Sequence, residues 1–155
     1  MYATILWATD GSHEADVALQ EALRLLEPGG RLIAFHCDQR FIGSRASGIP
    51  IFPDEDDRRR RVSEQVDQLR DEGINAELVI ECTTRDAGAE VAAAAENEHV
   101  DAIVCGTRGL HGIVGFLAGS TASRVARHAT VPVMVVPVDT PAHPDRNVAV
   151  EGAAV

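Results

Sequence analysis

The residues with the clearest chemical use form a glycine-rich segment, residues 106–120, directly after an apolar run that ends at Cys105. Glycine lets the backbone turn sharply and lets a ligand approach it closely. A helix beginning near Ser120 would direct its free N–H groups and the positive end of its dipole at an anion. The segment therefore predicts a phosphate-binding loop, and the alternative is a surface loop whose glycines only ease turns. The glycines stand at positions 106, 109, 112, 115 and 119.

A carboxylate at the end of the first apolar run is the second candidate. Asp10 follows the run at residues 3–8, and Ser12 stands where it can cap the helix that follows. A carboxylate in this place could contact a ligand or hold Mg²⁺. Aspartate is equally common as a turn or capping residue, so position alone leaves both interpretations of Asp10 open.

The absence of lysine restricts how a phosphate could be bound. All fourteen basic residues are arginines. Phosphate loops of the GxxxxGK type and Schiff-base chemistry both need a lysine, so the sequence excludes them. Backbone amides, arginine and a metal ion would have to hold the phosphates. Arg108 could face a γ-phosphate or could be solvated.

The charge of the chain bears on its partners and its location. A net charge of −10 disfavours nucleic acid and anionic lipid as partners. No apolar run approaches the roughly 18 residues of a membrane helix. The first residues lack the basic region of a signal peptide, so we expect a cytoplasmic protein without a membrane partner.

Three cysteines, at positions 37, 82 and 105, each end an apolar run. A redox or metal cluster is one interpretation. The odd count and the lack of a CxxC motif favour the other, in which each cysteine is a small buried hydrophobic residue.

An acidic run, residues 54–57, precedes an arginine run, residues 58–61. Each acid has an arginine four residues later, in the order that favours pairing along a helix. Acids also suit a helix N-terminus. We interpret the two runs as a self-paired, solvated helix start rather than a nucleic-acid patch.

Short apolar runs alternate with helical patterns along the chain, which predicts a five-stranded, doubly wound parallel sheet with helices on both faces. Such Rossmann-like folds bind ligands at the carboxyl ends of the strands, where the strand order reverses. We expect one domain over residues 1–138, a long loop at 38–53 and a flexible tail at 139–155. Strands are predicted at 3–8, 32–35, 76–82, 102–105 and 133–136, and helices at 15–26, 54–72, 86–98 and 120–129.

The glycine-rich segment resembles the ATP-binding signature of the universal stress proteins. That signature reads Gly, two residues, Gly, nine residues, then Gly-Ser/Thr, and Gly106, Gly109, Gly119 and Ser120 fit it. The stretches ATDGS (8–12), FHC (35–37) and ARHATVPVMVVP (126–137) are also similar to the family, so the resemblance spans residues 3–137. It implies a fold like that of the adenine nucleotide alpha hydrolases.

The resemblance implies ATP as the ligand, with Mg²⁺ or Mn²⁺ on its phosphates. Asp10 would lie near the ribose and phosphates. The backbone at Cys37 would contact the adenine, at a position where the family usually has an aliphatic residue. The remaining residues of the implied ribose and phosphate site are Gly106, Arg108, Gly109, Gly119, Ser120 and Thr121.

Two functions remain open from the sequence. The first is an ATP-binding stress protein that regulates partners, with no or very slow hydrolysis, since no residue is a persuasive general base. The alternative is an ATP-using enzyme of nucleotidyl transfer or hydrolysis on the same fold. Enzymes of that kind carry HxGH or SGGxDS near the first helix, and residues 10–14 fit neither motif. A phospho-receiver domain would need a lysine after the last strand.

The last predicted strand indicates how the chain assembles. Residues 130–137 are apolar, with prolines near the ends, and the family resemblance puts this strand at the sheet edge. We expect a homodimer through residues near Pro132 to Pro137. The alternative is a monomer in which residues 147–150 cover the edge.

Overall fold

The computed structural model describes residues 1–38, 55–82, 86–107 and 121–137. Within these ranges, five strands alternate with four helices. The elements are β1 (Tyr2–Thr9), α1 (His13–Leu25), β2 (Leu26–Asp38), α2 (Glu55–Asp71), β3 (Asn75–Cys82), α3 (Ala87–Asn97), β4 (Ala102–Gly106), α4 (Thr121–His128) and β5 (Val133–Val136). The predicted tail at 139–155 and nearly all of the predicted loop at 38–53 lie outside the described residues.

The five strands form one parallel sheet in the order β3-β2-β1-β4-β5. The chain runs outward from β1 to β3 and then crosses to the other side of β1 to form β4 and β5. The strand order therefore reverses between β1 and β4, which is where doubly wound sheets bind ligands. This sheet, with helices on both faces, confirms the predicted Rossmann-like α/β fold.

The central strand supplies apolar side chains to both faces of the sheet. Ile5 and Trp7 pack under α1 and α2, whereas Leu6 packs under α3 and α4, and all three are fully buried. The Trp7 indole nitrogen donates a hydrogen bond to the Ala15 carbonyl at 2.9 Å. That bond fixes the first turn of α1 to β1, immediately beside the strand end.

Helix α4 is held by an unusually close contact with the start of α3. A Cβ built on Gly88 would lie 2.4 Å from the Cβ of Arg124 and 3.0 Å from the backbone nitrogen of Val125. Asp86 caps α3 by accepting a hydrogen bond from the Gly88 amide at 2.9 Å, and it also pairs with Arg124 at 3.4 Å. A glycine in α3 therefore sets how closely α4 can approach.

The first helix ends earlier than predicted. The prediction that Leu26 lies on α1 was wrong, since the helix ends at Leu25 and Leu26 is extended. Pro28 disfavours helical backbone at the residue before it, so the chain leaves the helix as it approaches Glu27. Pairing of Leu26 with Tyr2 extends β2 back to this point, with an irregularity before the regular ladder begins at Arg31.

Candidate functional site

The carboxyl ends of β1 and β4 lie side by side at the reversal of strand order. Their last paired residues are Ala8 and Cys105. Asp10 follows β1, and Gly106 ends β4. The structure thus places two of the predicted site residues, which are distant in the sequence, at the ends of adjacent strands.

The turn after β1 is ordered by three local hydrogen bonds. The Thr9 hydroxyl accepts from the Gly11 amide at 3.1 Å, and Asp10 Oδ1 accepts from the Ser12 amide at 2.9 Å. Ser12 caps α1 by accepting from the Ala15 amide at 3.3 Å. Asp10 Oδ2 has no hydrogen-bond partner in the part of the chain that the structure describes. This oxygen can therefore accept a hydrogen bond from a ribose hydroxyl or contact a cation.

Gly106 is needed for a close approach of the first helix. A Cβ built there would lie 3.1 Å from the Glu14 carbonyl oxygen in the first turn of α1. A larger residue would therefore push α1 away from the end of β4. The ligand approach that the sequence suggested for Gly106 stays a prediction, whereas its packing against α1 is visible directly.

Cys37 lies half-buried near the end of β2. Burial, together with the charges of Glu90, Glu81, Asp38 and Glu55, raises the pKa of its thiol to about 12. Burial also raises the pKa of Cys105 to about 11. Both thiols are thus mainly protonated at neutral pH, which disfavours a nucleophilic role. Among the described residues, no group of three or more His, Cys, Asp or Glu side chains is arranged to hold a metal ion.

A buried histidine joins three elements at the same end of the sheet. His36 is 1% exposed, its Nδ1 lies 3.0 Å from the Thr9 carbonyl, and its Nε2 lies 2.6 Å from Glu55 Oε1. A carbonyl only accepts, so Nδ1 carries a proton and donates it to Thr9. The bond to Glu55 attaches the start of α2 to the ends of β1 and β2. Sequence reasoning did not identify Glu55 as the partner of this histidine, because the two residues lie on different elements.

The acidic and arginine runs at the start of α2 do not form the self-contained, solvated surface predicted from the sequence. Glu55 bonds to His36, and Arg59 lies 3.5 Å from the buried carboxylate of Asp38. Arg61 reaches the turn after β1. The sequence interpretation was wrong for these residues because helical spacing shows possible partners within a helix and none across the fold. Arg60 does pair within the helix, but with Asp57 three residues before it rather than at the spacing of four on which the prediction rested.

The remaining predicted site residues come from the glycine-rich segment of the sequence and the residue that follows it. Thr121 is exposed and is the first residue of α4. The other four predicted residues lie outside the described residues, namely Arg108, Gly109, Gly119 and Ser120.

In the ranges that the structure describes, no helix is both long and apolar enough to cross a membrane.

A family model for the universal stress protein family matches residues 1–137. The chain belongs to the universal stress protein family. A universal stress protein of Thermus aquaticus is 32% identical over 139 residues, covering 88% of this chain and 99% of the relative.

Solved structures of the family share the fold. A Burkholderia pseudomallei universal stress protein is 26% identical, with a TM-score of 0.65, over 88% of this chain and 97% of its own. A universal stress protein in complex with cAMP is 22% identical, with a TM-score of 0.61, over 87% and 96%. An Archaeoglobus fulgidus universal stress protein in complex with dAMP is 21% identical, with a TM-score of 0.59, over 88% and 98%.

Proposed function

We propose that this chain binds ATP, with Mg²⁺ or Mn²⁺ on the phosphates, between the carboxyl ends of β1 and β4. It would act as a nucleotide-dependent regulator of the stress response in the cytoplasm. The observation that carries the proposal is the position of Asp10 and Gly106 on adjacent strand ends where the strand order reverses. The signature that begins at Gly106 would supply the phosphate contacts.

The similar structures support an adenine nucleotide. Two of them are complexes with cAMP and dAMP, which share the adenine base. The resemblance assigns the base to the backbone at Cys37, and the protonated thiol there adds no charge beside it. Backbone contact to the base edge would favour adenine over guanine, since the two bases present different donors and acceptors.

The described residues fit a metal that arrives with the nucleotide. They contain no ready-made metal cluster, yet Asp10 Oδ2 has no partner among them and could complete the coordination of a phosphate-bound Mg²⁺. Mg²⁺ is commonly held in this way by one or two carboxylates plus phosphates.

Calorimetry with Mg-ATP and Mg-GTP tests the proposal. ATP should bind more tightly than GTP, and Asp10→Ala should weaken ATP binding about tenfold through loss of a charged contact. Asp71→Ala is the matched control, because it removes the same charge from an exposed position at the far end of α2. No heat with ATP, or equal affinity for both nucleotides, would refute the proposal.

A second variant tests the sequence signature itself. Gly119→Val should abolish binding, because a branched side chain would fill the phosphate site. If a folded Gly119→Val protein binds ATP with wild-type affinity, the phosphates do not bind at Gly119.

Hydrolysis should be absent or far slower than the ~10 s⁻¹ typical of enzymes, since the chain has no lysine and its sequence offers no persuasive general base. Phosphate release measured with Mg-ATP checks this expectation. A rate near that typical value, abolished by Asp10→Ala, would instead support the ATP-using enzyme.

A further inference from the structure

The turn that carries Asp10 is supported from behind by α2. Gly11 is buried and has φ +74°, a conformation that favours glycine. A Cβ built on Gly11 would lie 3.2 Å from the Cβ of Arg58 and 3.3 Å from its carbonyl oxygen. The first turns of α2 therefore lie directly against this turn, with no space between them for another side chain.

Arg61 makes the polar contacts of this packing. Its Nη1 donates to the Gly11 carbonyl, and its Nη2 donates to Asp16 Oδ2 in the first turn of α1. Gln65 donates to the other oxygen of Asp16 at 2.7 Å. The guanidinium is thus held between the turn and α1, with only 33% of the side chain exposed.

The contact with Gly11 reaches Asp10 through a single peptide unit. The Gly11 carbonyl and the Ser12 amide belong to the same planar group, so they can only rotate together. The carbonyl end accepts from Arg61, and the amide end donates to Asp10 Oδ1. Rotation of this plane would break both bonds at once. The guanidinium therefore controls the direction of the amide that orients the carboxylate.

We propose that Arg61 is a positioning residue of the nucleotide site, holding the Gly11–Ser12 peptide so that Asp10 presents its second oxygen to the nucleotide. The inference rests on the proposed function. It gives the arginine run of α2 a role in the site although Arg61 itself need not touch the ligand.

A double-mutant cycle in ATP affinity tests the inference. Arg61→Ala should weaken ATP binding about tenfold. The same substitution made in an Asp10→Ala protein should change affinity less than about twofold, because the group it positions is already gone. The matched control is Arg60→Ala, which removes the same charge from an exposed neighbour paired with Asp57. An Arg61→Ala effect equal to that of Arg60→Ala, or one fully additive with Asp10→Ala, would overturn the inference.

Amide hydrogen exchange provides a readout that does not depend on nucleotide. Exchange at the Ser12 amide should accelerate about tenfold or more in Arg61→Ala and should stay unchanged in Arg60→Ala. Arg61→Lys keeps the charge but not the fork of donors, so it should restore the fold without restoring the protection of Ser12. Unchanged Ser12 exchange in Arg61→Ala would refute the positioning role. If the wild-type protein does not bind ATP, but Arg61→Ala still accelerates exchange at the Ser12 amide, the proposed function is refuted and the positioning role stands.

Discussion

Cys37 is a residue of the candidate site whose surroundings raise the pKa of its side chain. Its thiol is half-buried and faces the combined charge of four carboxylates, and the pKa rises to about 12. Its thiolate fraction at pH 8 is therefore about 10⁻⁴, against roughly a quarter for an ordinary cysteine. Redox signalling through this residue is accordingly disfavoured at neutral pH.

The pH dependence of alkylation tests this assignment. The rate of iodoacetamide reaction at Cys37 should rise about tenfold per pH unit from pH 8 to pH 10, because only the thiolate reacts. Peptide-resolved mass spectrometry separates Cys37 from Cys82 and Cys105. Glu90→Gln should accelerate the reaction by removing one nearby charge. A rate that levels off above pH 9 would show that the pKa is ordinary.

At the scale of elements, the contact between α3 and α4 decides where the helix of the proposed phosphate site lies. Gly88 has no Cβ, and Arg124 and Val125 occupy the space that a Cβ would take. The obstruction is the backbone and Cβ of α4, not the flexible end of a side chain. Any larger residue at this position must therefore move α4 as a whole.

Gly88→Ala should destabilise the protein, although glycine to alanine in a helix ordinarily stabilises it. Forced packing of this kind costs about 1–3 kcal/mol. Urea denaturation measures the loss, and ATP affinity should fall with it as α4 shifts. Ala93→Gly, at an exposed position of the same helix, measures how much the difference in helix propensity between alanine and glycine contributes without a packing effect. A Gly88→Ala protein more stable than wild type would contradict the packing argument.

The sequence predicted the elements well because their hydrophobic periods are local. Burial of both faces makes β1 and β4 continuous apolar runs, and the capping residues Ser12 and Asp86 mark two helix starts. The contacts of α2 could not be predicted in this way. Arg61 and Gly11 are 50 residues apart, and no local pattern shows which surface an arginine will meet after folding.

At the scale of the whole molecule, β5 leaves one edge of the sheet open within the described residues. The Pro132 carbonyl accepts a hydrogen bond from Ile103 of β4, and the Val136 carbonyl accepts one from Thr107, directly after β4. Because backbone groups alternate along a strand, those of Val135 point away from β4 and toward the open edge. Met134 is also 40% exposed there. We propose that two copies pair through this edge about a two-fold axis, giving a homodimer.

Proline substitutions along β5 distinguish a loss of dimerisation from a loss of folding stability. Val135→Pro removes an outward amide and should yield a monomer, or aggregate, without breaking the ladder to β4. Met134→Pro removes an amide directed at β4 and should reduce stability as well. Light scattering at micromolar concentration should give about twice 16.5 kDa for the wild type. A wild-type mass near 16.5 kDa would show a monomer and contradict the proposal.

The central position of β1 also has a consequence for synthesis. The pairs β1–β2 and β2–β3 are complete once Cys82 has been made, whereas β4 begins only at Ala102. A ribosome adding 5–20 residues per second needs about 1–4 s to make the intervening segment. During that interval, the edge of β1 that will pair with β4 has no partner strand. Trp7 of β1 is the only tryptophan, and it pairs with Ala34 of β2 on one side and with Val104 of β4 on the other. A change in its fluorescence emission would therefore report when β4 pairs with β1.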